Sequence, residues 1–271
     1  MFGTAGGRSV SVLLTKLLLA PAFVVGVSAI ARRYGPRIGG IVGGLPVVAG
    51  PILLVLAMEH GAVFAADASR SSMVALSGLA AFAVWCARVP STVPAWATVL
   101  TGWGVFLVVG TVVAAAALPI ATGLAATVAV FAAALRWGIP NRGPAAHPAS
   151  RPPHDLAVRA AAAMVMVVGV TSASVLVGAA WSGVLAAFPV VTSVLAGFSL
   201  AHDPRLHTQT LLRSILIGMF SFAAFLATVS TTLVPWGIPA AFGTAVAVTV
   251  VMQAAMLHAA RRALNVGAPT T

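Results

Sequence analysis

An all-α polytopic integral membrane protein is the fold class the sequence predicts, and three observations predict it. First, 60% of the 271 residues are hydrophobic and 7% are charged, against about 25% charged in an average soluble domain. Too few polar side chains exist to coat a water-facing globule, and the mean hydropathy is +1.06. Second, the apolar residues run continuously for about 20 positions at a time, the length a helix needs to cross a bilayer. Period-two alternation, the mark of a membrane barrel, is absent. Third, the chain resembles itself at an offset of 143 residues: IGGIVGGLPVVAGP (38–51) has a degenerate copy in WSGVLAAFPVVTSV (181–194).

Charge, proline and glycine divide the apolar runs into nine expected spans. The first, 9–31, follows Arg8, is interrupted by Lys16 and stops at Arg32 and Arg33; it reads as a retained helix, not a cleaved signal. The second, 38–58, carries the glycine- and proline-rich motif. The third, 71–88, starts after Arg70. The fourth and fifth, 95–117 and 120–138, are divided only by Leu118-Pro119 and their neighbours, so one tilted helix with a re-entrant piece is the alternative. Pro140 to Pro153 is too rich in proline to be helical and reads as a solvated linker near the middle of the chain. The sixth to ninth spans are 156–178, 181–201, 208–231 and 236–260, with the HDPRLH segment (202–207) read as a solvated turn between the seventh and eighth. The domain plan is a first four-helix repeat over 1–117, a connecting helix and loop over 118–153, and a second repeat over 154–271.

The net charge of +11 comes mostly from arginines at the ends of apolar runs. That placement points to membrane lipids as partners and to topology, not to nucleic acid. In the nine-span plan one side collects the arginines from Arg32 to Arg262, and the other only Arg8, Lys16 and Arg70. The rich side is expected to be cytoplasmic, with the N-terminus outside and the C-terminus inside. The Ala/Val/Arg-rich, cysteine-poor composition suggests a bacterial inner (plasma) membrane. Cys86 is the single cysteine, so no disulfide forms within the chain.

At the fixed offset Val24–Ser28 meets Val167–Thr171, Pro46-Val47-Val48 meets Pro189-Val190-Val191, Arg70-Ser71 meets Arg213-Ser214, and Lys16 meets Arg159. An odd number of spans separates each residue from its copy, so the second unit is expected upside down. Arg32, Arg33 and Arg37 correspond to Val175, Leu176 and Ala180, as the charge rule requires of a loop turned outward. The stretch 184–222 resembles the central part of the GlpM-like family of small four-helix bacterial membrane proteins, through Phe188-Pro189 and Arg213. The first half keeps Pro46 and Arg70 but has Leu45 in place of the Phe. The resemblance implies a four-helix unit and carries no defined activity. The inverted plan is similar to that of drug/metabolite-type transporters in architecture alone.

Prolines interrupting corresponding helices of two inverted halves mark a transport site. The candidate substrate-binding residues are therefore Pro46, Gly50, Pro51, Pro189, Thr192 and Ser193. Each proline is expected to free the carbonyl four residues back: Val42, Val47 and Leu185. Packing alone is the competing reading, since Gly39, Gly40, Gly43 and Gly44 form overlapping GxxxG patterns. Lys16, Arg70, Arg159 and Arg213 are basic in both halves, which topology does not require, and are candidates for binding an anion; snorkelling to phospholipid is the alternative. Glu59 is the candidate for proton coupling, with an exposed loop carboxylate as the alternative. Gln253 is placed to bridge helices, and Trp96, Trp103, Trp181 and Trp236 to anchor span ends. No nucleophile–base pair, metal motif, phosphate loop or dinucleotide glycine pattern is present, so no enzyme, cofactor or metal is expected. The expected function is secondary transport of a small anionic or amphiphilic solute by alternating access. The alternative is a non-transporting accessory subunit or a protein that binds lipid head groups. Assembly of identical chains is left open.

Overall fold

The computed structural model describes residues 5–141, 154–177, 184 and 187–266, with the backbone alone for 5–19, 154, 171–177 and 263–266. The described residues are helical, without a strand: α1 (Ala5–Tyr34), α2 (Pro36–Gly43), α3 (Ala49–His60), α4 (Ala62–Arg88), α5 (Ala95–Ala115), α6 (Ile120–Ala133), α7 (His154–Val177), α8 (Val190–His202) and α9 (Arg205–Val266). Among them four stretches are long and apolar enough to cross a membrane: Ala62–Arg88, Ala95–Ala115, Ile120–Gly138 and Arg205–Arg262.

Local chemistry explains where the helices stop. Gly35 and Gly61 sit at φ 86° and 89°, a region that glycine enters without a Cβ clash, and each turns the chain between two helices. The expected second span is cut in two. Pro46 has no N–H to continue a helix, and residues 44–48 unwind between α2 and α3. The expected fourth and fifth spans are separate helices, divided at 116–119, where Ala117 has φ 46°. A π turn, Ala134–Gly138, then extends α6. The expected eighth and ninth spans form the two arms of α9, which bends at Gly237 (φ 73°, ψ 173°) between Pro235 and Pro239. Helix α4 starts nine residues before the expected third span, so Arg70 lies within a helix and not at its start.

Helix α4 is the buried centre, and its small residues allow that. Ala65, Ala75, Ala80, Ala83, Ser69, Ser77 and Gly78 are all buried. Helix α5 is peripheral and shows Leu100, Val108 and Val112 outward, an arrangement suited to lipid and not to water. The backbones of α2 and α9 touch: a Cβ on Gly44 would fall 2.4 Å from the Gly218 carbonyl carbon, and one on Gly218 would fall 2.2 Å from Ile41 O. Gly40 and Gly44, four apart on one face, thus form the tight contact that the GxxxG pattern implies.

Polar contacts fix the relative direction of the helices. Arg205 and Gln209, at the start of α9, both donate to the Ala87 carbonyl at the end of α4, at 3.1 Å each. Helix α4 and the first arm of α9 therefore run antiparallel. Arg88 donates to Gly138 O (2.7 Å) and Trp137 O, and Arg32 pairs with Asp155. These contacts gather the ends of α1, α4 and the π turn, and the starts of α7 and α9, at one end of the bundle.

Candidate functional site

The unwound segment around Pro46 and the one around Pro189 face each other across a cavity of about 140 Å³. Leu45, Pro46, Val48 and Ala49 line it from one side, and Phe188, Pro189, Val191 and Thr192 from the other. Leu79 of α4 and Phe222 of α9 add to the wall. Each of these residues has its partner in the wall at a spacing of 143: Leu45 with Phe188, Pro46 with Pro189, Val48 with Val191, Ala49 with Thr192, and Leu79 with Phe222.

The backbone supplies most of the polarity here. Pro189 makes a tight turn (φ −77°, ψ 53°), with Val190 N donating to Phe188 O at 2.8 Å, and α8 begins immediately after it. Helix α3 begins at Ala49, beyond Val48. The first turns of both α3 and α8 therefore border the cavity with the partial positive charge of a helix start, while Gly50 N donates to Pro46 O (2.9 Å), Ser193 N donates to Pro189 O (2.7 Å) and Pro51 has no N–H. Carbonyls at the end of α2 contribute little to oppose this. Ile41 O accepts from Gly44 N and Gln253 Nε2, and Val42 O accepts from Leu45 N at 3.1 Å. Val42 is thus not left free as the sequence suggested, because the chain tightens into a three-residue turn before the proline. Nor does Pro51 interrupt a helix. It sits in the first turn of α3, where its missing N–H has no intrahelical acceptor to lose. Leu185 lies outside the described residues.

Gly50, Pro46 and Pro51 also line a lateral apolar groove of about 590 Å³, closed on its far side by Phe225, Phe242 and Val246 of α9. The positions 143 residues away in the other half are filled. Trp103 packs on Phe188 with centroids 5.4 Å apart, Phe106 packs on Phe188 at 5.5 Å, and Trp103 Nε1 donates to Ser193 Oγ at 2.9 Å. Trp103 is therefore a core residue beside the site and not a span-end anchor. Trp96 and Trp236 are exposed, and Trp181 lies outside the described residues. Thr192 and Ser193 are both buried. Only Thr192 lines the cavity.

The basic candidates do not converge on the prolines. Arg213 donates to the carbonyls of Leu135 and Ile139, and with Arg88 it caps the carboxyl end of the α6 π turn. Arg70 lies 3.3 Å from Asp67 at the surface. Lys16 falls on α1, where the backbone alone is described. Arg159 is buried, lies 3.0 Å from Asp155 and stacks its guanidinium 4.7 Å from the Phe198 ring centre. Glu59 is exposed.

One polar cluster escaped the sequence reading. The HDPRLH segment is not a solvated turn throughout. Asp203 and His207 are buried with Oδ2 and Nε2 3.6 Å apart, whereas His202 is exposed. With Ser28 and Arg32 of α1, Arg159 of α7 and Ser199 of α8, they line a small void of about 30 Å³. Asp155, on the water side of the seventh helix's apolar run, bridges Arg32 and Arg159. Burial alone would raise the Asp155 carboxyl, but the two guanidiniums outweigh it and hold the group below the ordinary carboxylate range. The i, i+4 spacing of Asp203 and His207 was the one signal available in the sequence. Among the described residues no His/Cys/Asp/Glu group suited to a metal occurs.

No protein family, curated protein or solved structure matches the chain.

Proposed function

We propose that this chain is a secondary transporter of a small anionic or amphiphilic solute, working by alternating access between two related, inverted halves. The observation that carries the reading is the cavity between the Pro46 and Pro189 breaks, bordered by the first turns of α3 and α8. Discontinuous helices whose amino ends meet an enclosed space are how transporter folds hold an anionic group away from water. The apolar side chains around it suit the hydrocarbon part of an amphiphile.

Three further features support two inverted halves. Corresponding residues face each other across the cavity. Helix α4 starts at Ala62 and α9 at Arg205, which is the repeat offset, and the two run antiparallel. Gly110 meets Val184, while Gln253, its counterpart, meets Ile41, the counterpart of Val184. Reciprocal contacts of that kind are what a two-fold relation produces. The end of the bundle that gathers Arg32, Arg88 and Arg205 is assigned to the cytoplasm of a bacterial inner membrane. The four-helix unit remains the one that the GlpM-like resemblance implies.

Thiol accessibility tests the site. In a Cys86→Ala background, Ala49→Cys and Thr192→Cys in intact cells should react with a small polar thiol reagent. Failure of both to react from either side would turn the cavity into a packing defect. The groove beside Gly50 and Pro51 favours a second reading, a non-transporting protein that holds lipid, with the basic residues at head-group level. Solute pools compared between a deletion strain and its parent separate the two readings: transport changes a pool, lipid binding leaves all of them alike.

A further inference from the structure

Asp203 and His207 meet in a place where ionisable groups are costly. They lie at the end of the bundle with side chains 6% (His207) and 4% (Asp203) exposed, and enclosed ionisable groups of this kind are candidates for a functional site. We infer that the Asp203–His207 pair is a proton-binding site, opening toward water past Arg32. The inference deepens the transport reading by supplying its coupling ion, and it rests on that reading for coupling alone; proton binding itself does not depend on it.

The geometry has four parts. The void of about 30 Å³ beside the pair is large enough for a water molecule, which needs roughly 10–15 Å³ by the same kind of measure. Its walls are polar enough to hold one: Ser28 Oγ is buried without a hydrogen-bond partner among the described residues, and the void lies beside Ser199, whose Oγ shares a hydrogen bond with Thr208 at 2.9 Å. Access exists on one side, where the Arg32 side chain is 25% exposed while that of His207 is 6% exposed. Finally, charges of both signs meet around the pair. Helix α1 contributes Arg32, α7 contributes Asp155 and Arg159, and the α8–α9 junction contributes Asp203; two guanidiniums face two carboxylates. His202 turns away to the Phe198 carbonyl, and Arg205 to Ala87.

The step is a single protonation. Neutral imidazole carries one N–H. Uptake of a proton from water adds the second, and the charged ring's Nε2 then donates toward the Asp203 carboxylate. Nothing else is consumed or released. The site belongs to one half only. The positions 143 residues earlier are His60 and Phe64, which stack on each other in the open with ring centres 5.0 Å apart. A proton bound here couples to movement by favouring one of the two conformations, through a difference in its affinity for them. Glu59, exposed at the end of α3, has no such enclosure.

The test uses the full-length chain in lipid nanodiscs with ¹⁵N-labelled histidine and no solute. The probe is the proton, titrated from about pH 8 to about pH 5, the window in which an ordinary histidine charges. One imidazole signal, absent in His207→Gln, should move from neutral to charged. In Asp203→Asn its midpoint should fall by about one unit, because the carboxylate that favours the charged ring is gone. If His207→Gln does not insert, a chain with His60, His147, His154, His202 and His258 each changed to Gln leaves one signal to follow. A His207 signal that stays neutral to the lowest pH, or a midpoint unmoved by Asp203→Asn, overturns the proton site. Neither result bears on the cavity, whose failure is read by the thiol reagent instead.

Discussion

Mid-way along an apolar arm, Gln253 donates through Nε2 to Ile41 O and accepts through Oε1 from Ser221 Oγ at 2.8 Å. One side chain thus ties both arms of α9 to the end of α2. Gln253→Leu should destabilise the chain by about 1–2 kcal/mol in detergent unfolding, and a double-mutant cycle with Ser221→Ala should show coupling of roughly 0.6–1.7 kcal/mol. Coupling near zero would mean the pair is incidental. Asp155 permits a second prediction at this scale. Asp155→Asn leaves the buried Arg159 and the half-buried Arg32 without their shared carboxylate. Breaking a fully buried pair costs about 3–5 kcal/mol, and the partial exposure here reduces that to about 1–3 kcal/mol. The sign with pH follows from the lowered Asp155 value. The stabilisation is complete above the ordinary aspartate range, about pH 4, and is lost as pH falls through the lower folded value. Thermal unfolding of the wild type should therefore weaken below about pH 4, with a smaller drop in Asp155→Asn.

At the scale of elements, the glycines and prolines were the most legible part of the chain. Gly40 and Gly44 were recognisable as a contact face because small residues four apart have one use in lipid, close approach of backbones. The partner was not legible as a second glycine pair, since the positions four residues either side of Gly218 are Ser214 and Phe222. Gly218→Leu should abolish the folded state in a detergent melting assay. A Cβ there has no space against Ile41 O, and the overpacking exceeds the usual 1–3 kcal/mol range. A folded Gly218→Leu protein would require α2 and α9 to separate. The prolines were visible, but their effect was misjudged. Read as kinks in a continuous second span, they instead leave 44–48 unwound, because Gly44 and Pro46 together remove both the stiffness and the donor a helix needs. That difference matters for the site: a kink offers one freed carbonyl, whereas a break offers a helix start. The buried fate of His207 was illegible for another reason. It depends on α1 and α7 closing over the α8–α9 junction, and nothing within six polar-rich residues signals a tertiary cover.

For the whole molecule, the decisive question is how many times the chain crosses the bilayer between equivalent points. Composition made the helical membrane class plain. The sense of the second half was inferred from crossings and from where arginines disappear. Contacts now constrain it differently, because Ala87 at the end of α4 meets Arg205 at the start of α9. Reporters sensitive to compartment, inserted singly, convert this into a measurement. Insertions at Gly35, within 90–93 and within 142–153 should report one side of the membrane. Insertions at Gly61, Ala117 and Gly237 should report the other. Fusions to the two chain ends should then disagree, with the C-terminus on the side of Gly35. Gly61, 90–93 and Ala117 are exposed turns and Gly237 is a half-buried bend, so a reporter there displaces little packed structure; Gly35 is buried, and its reporter is placed beside the exposed Tyr34. Agreement between the chain ends would leave an even number of crossings and a second unit inserted in the same sense as the first. The cavity would then no longer lie between oppositely directed copies, and alternating access by exchange of their roles would lose its geometric basis.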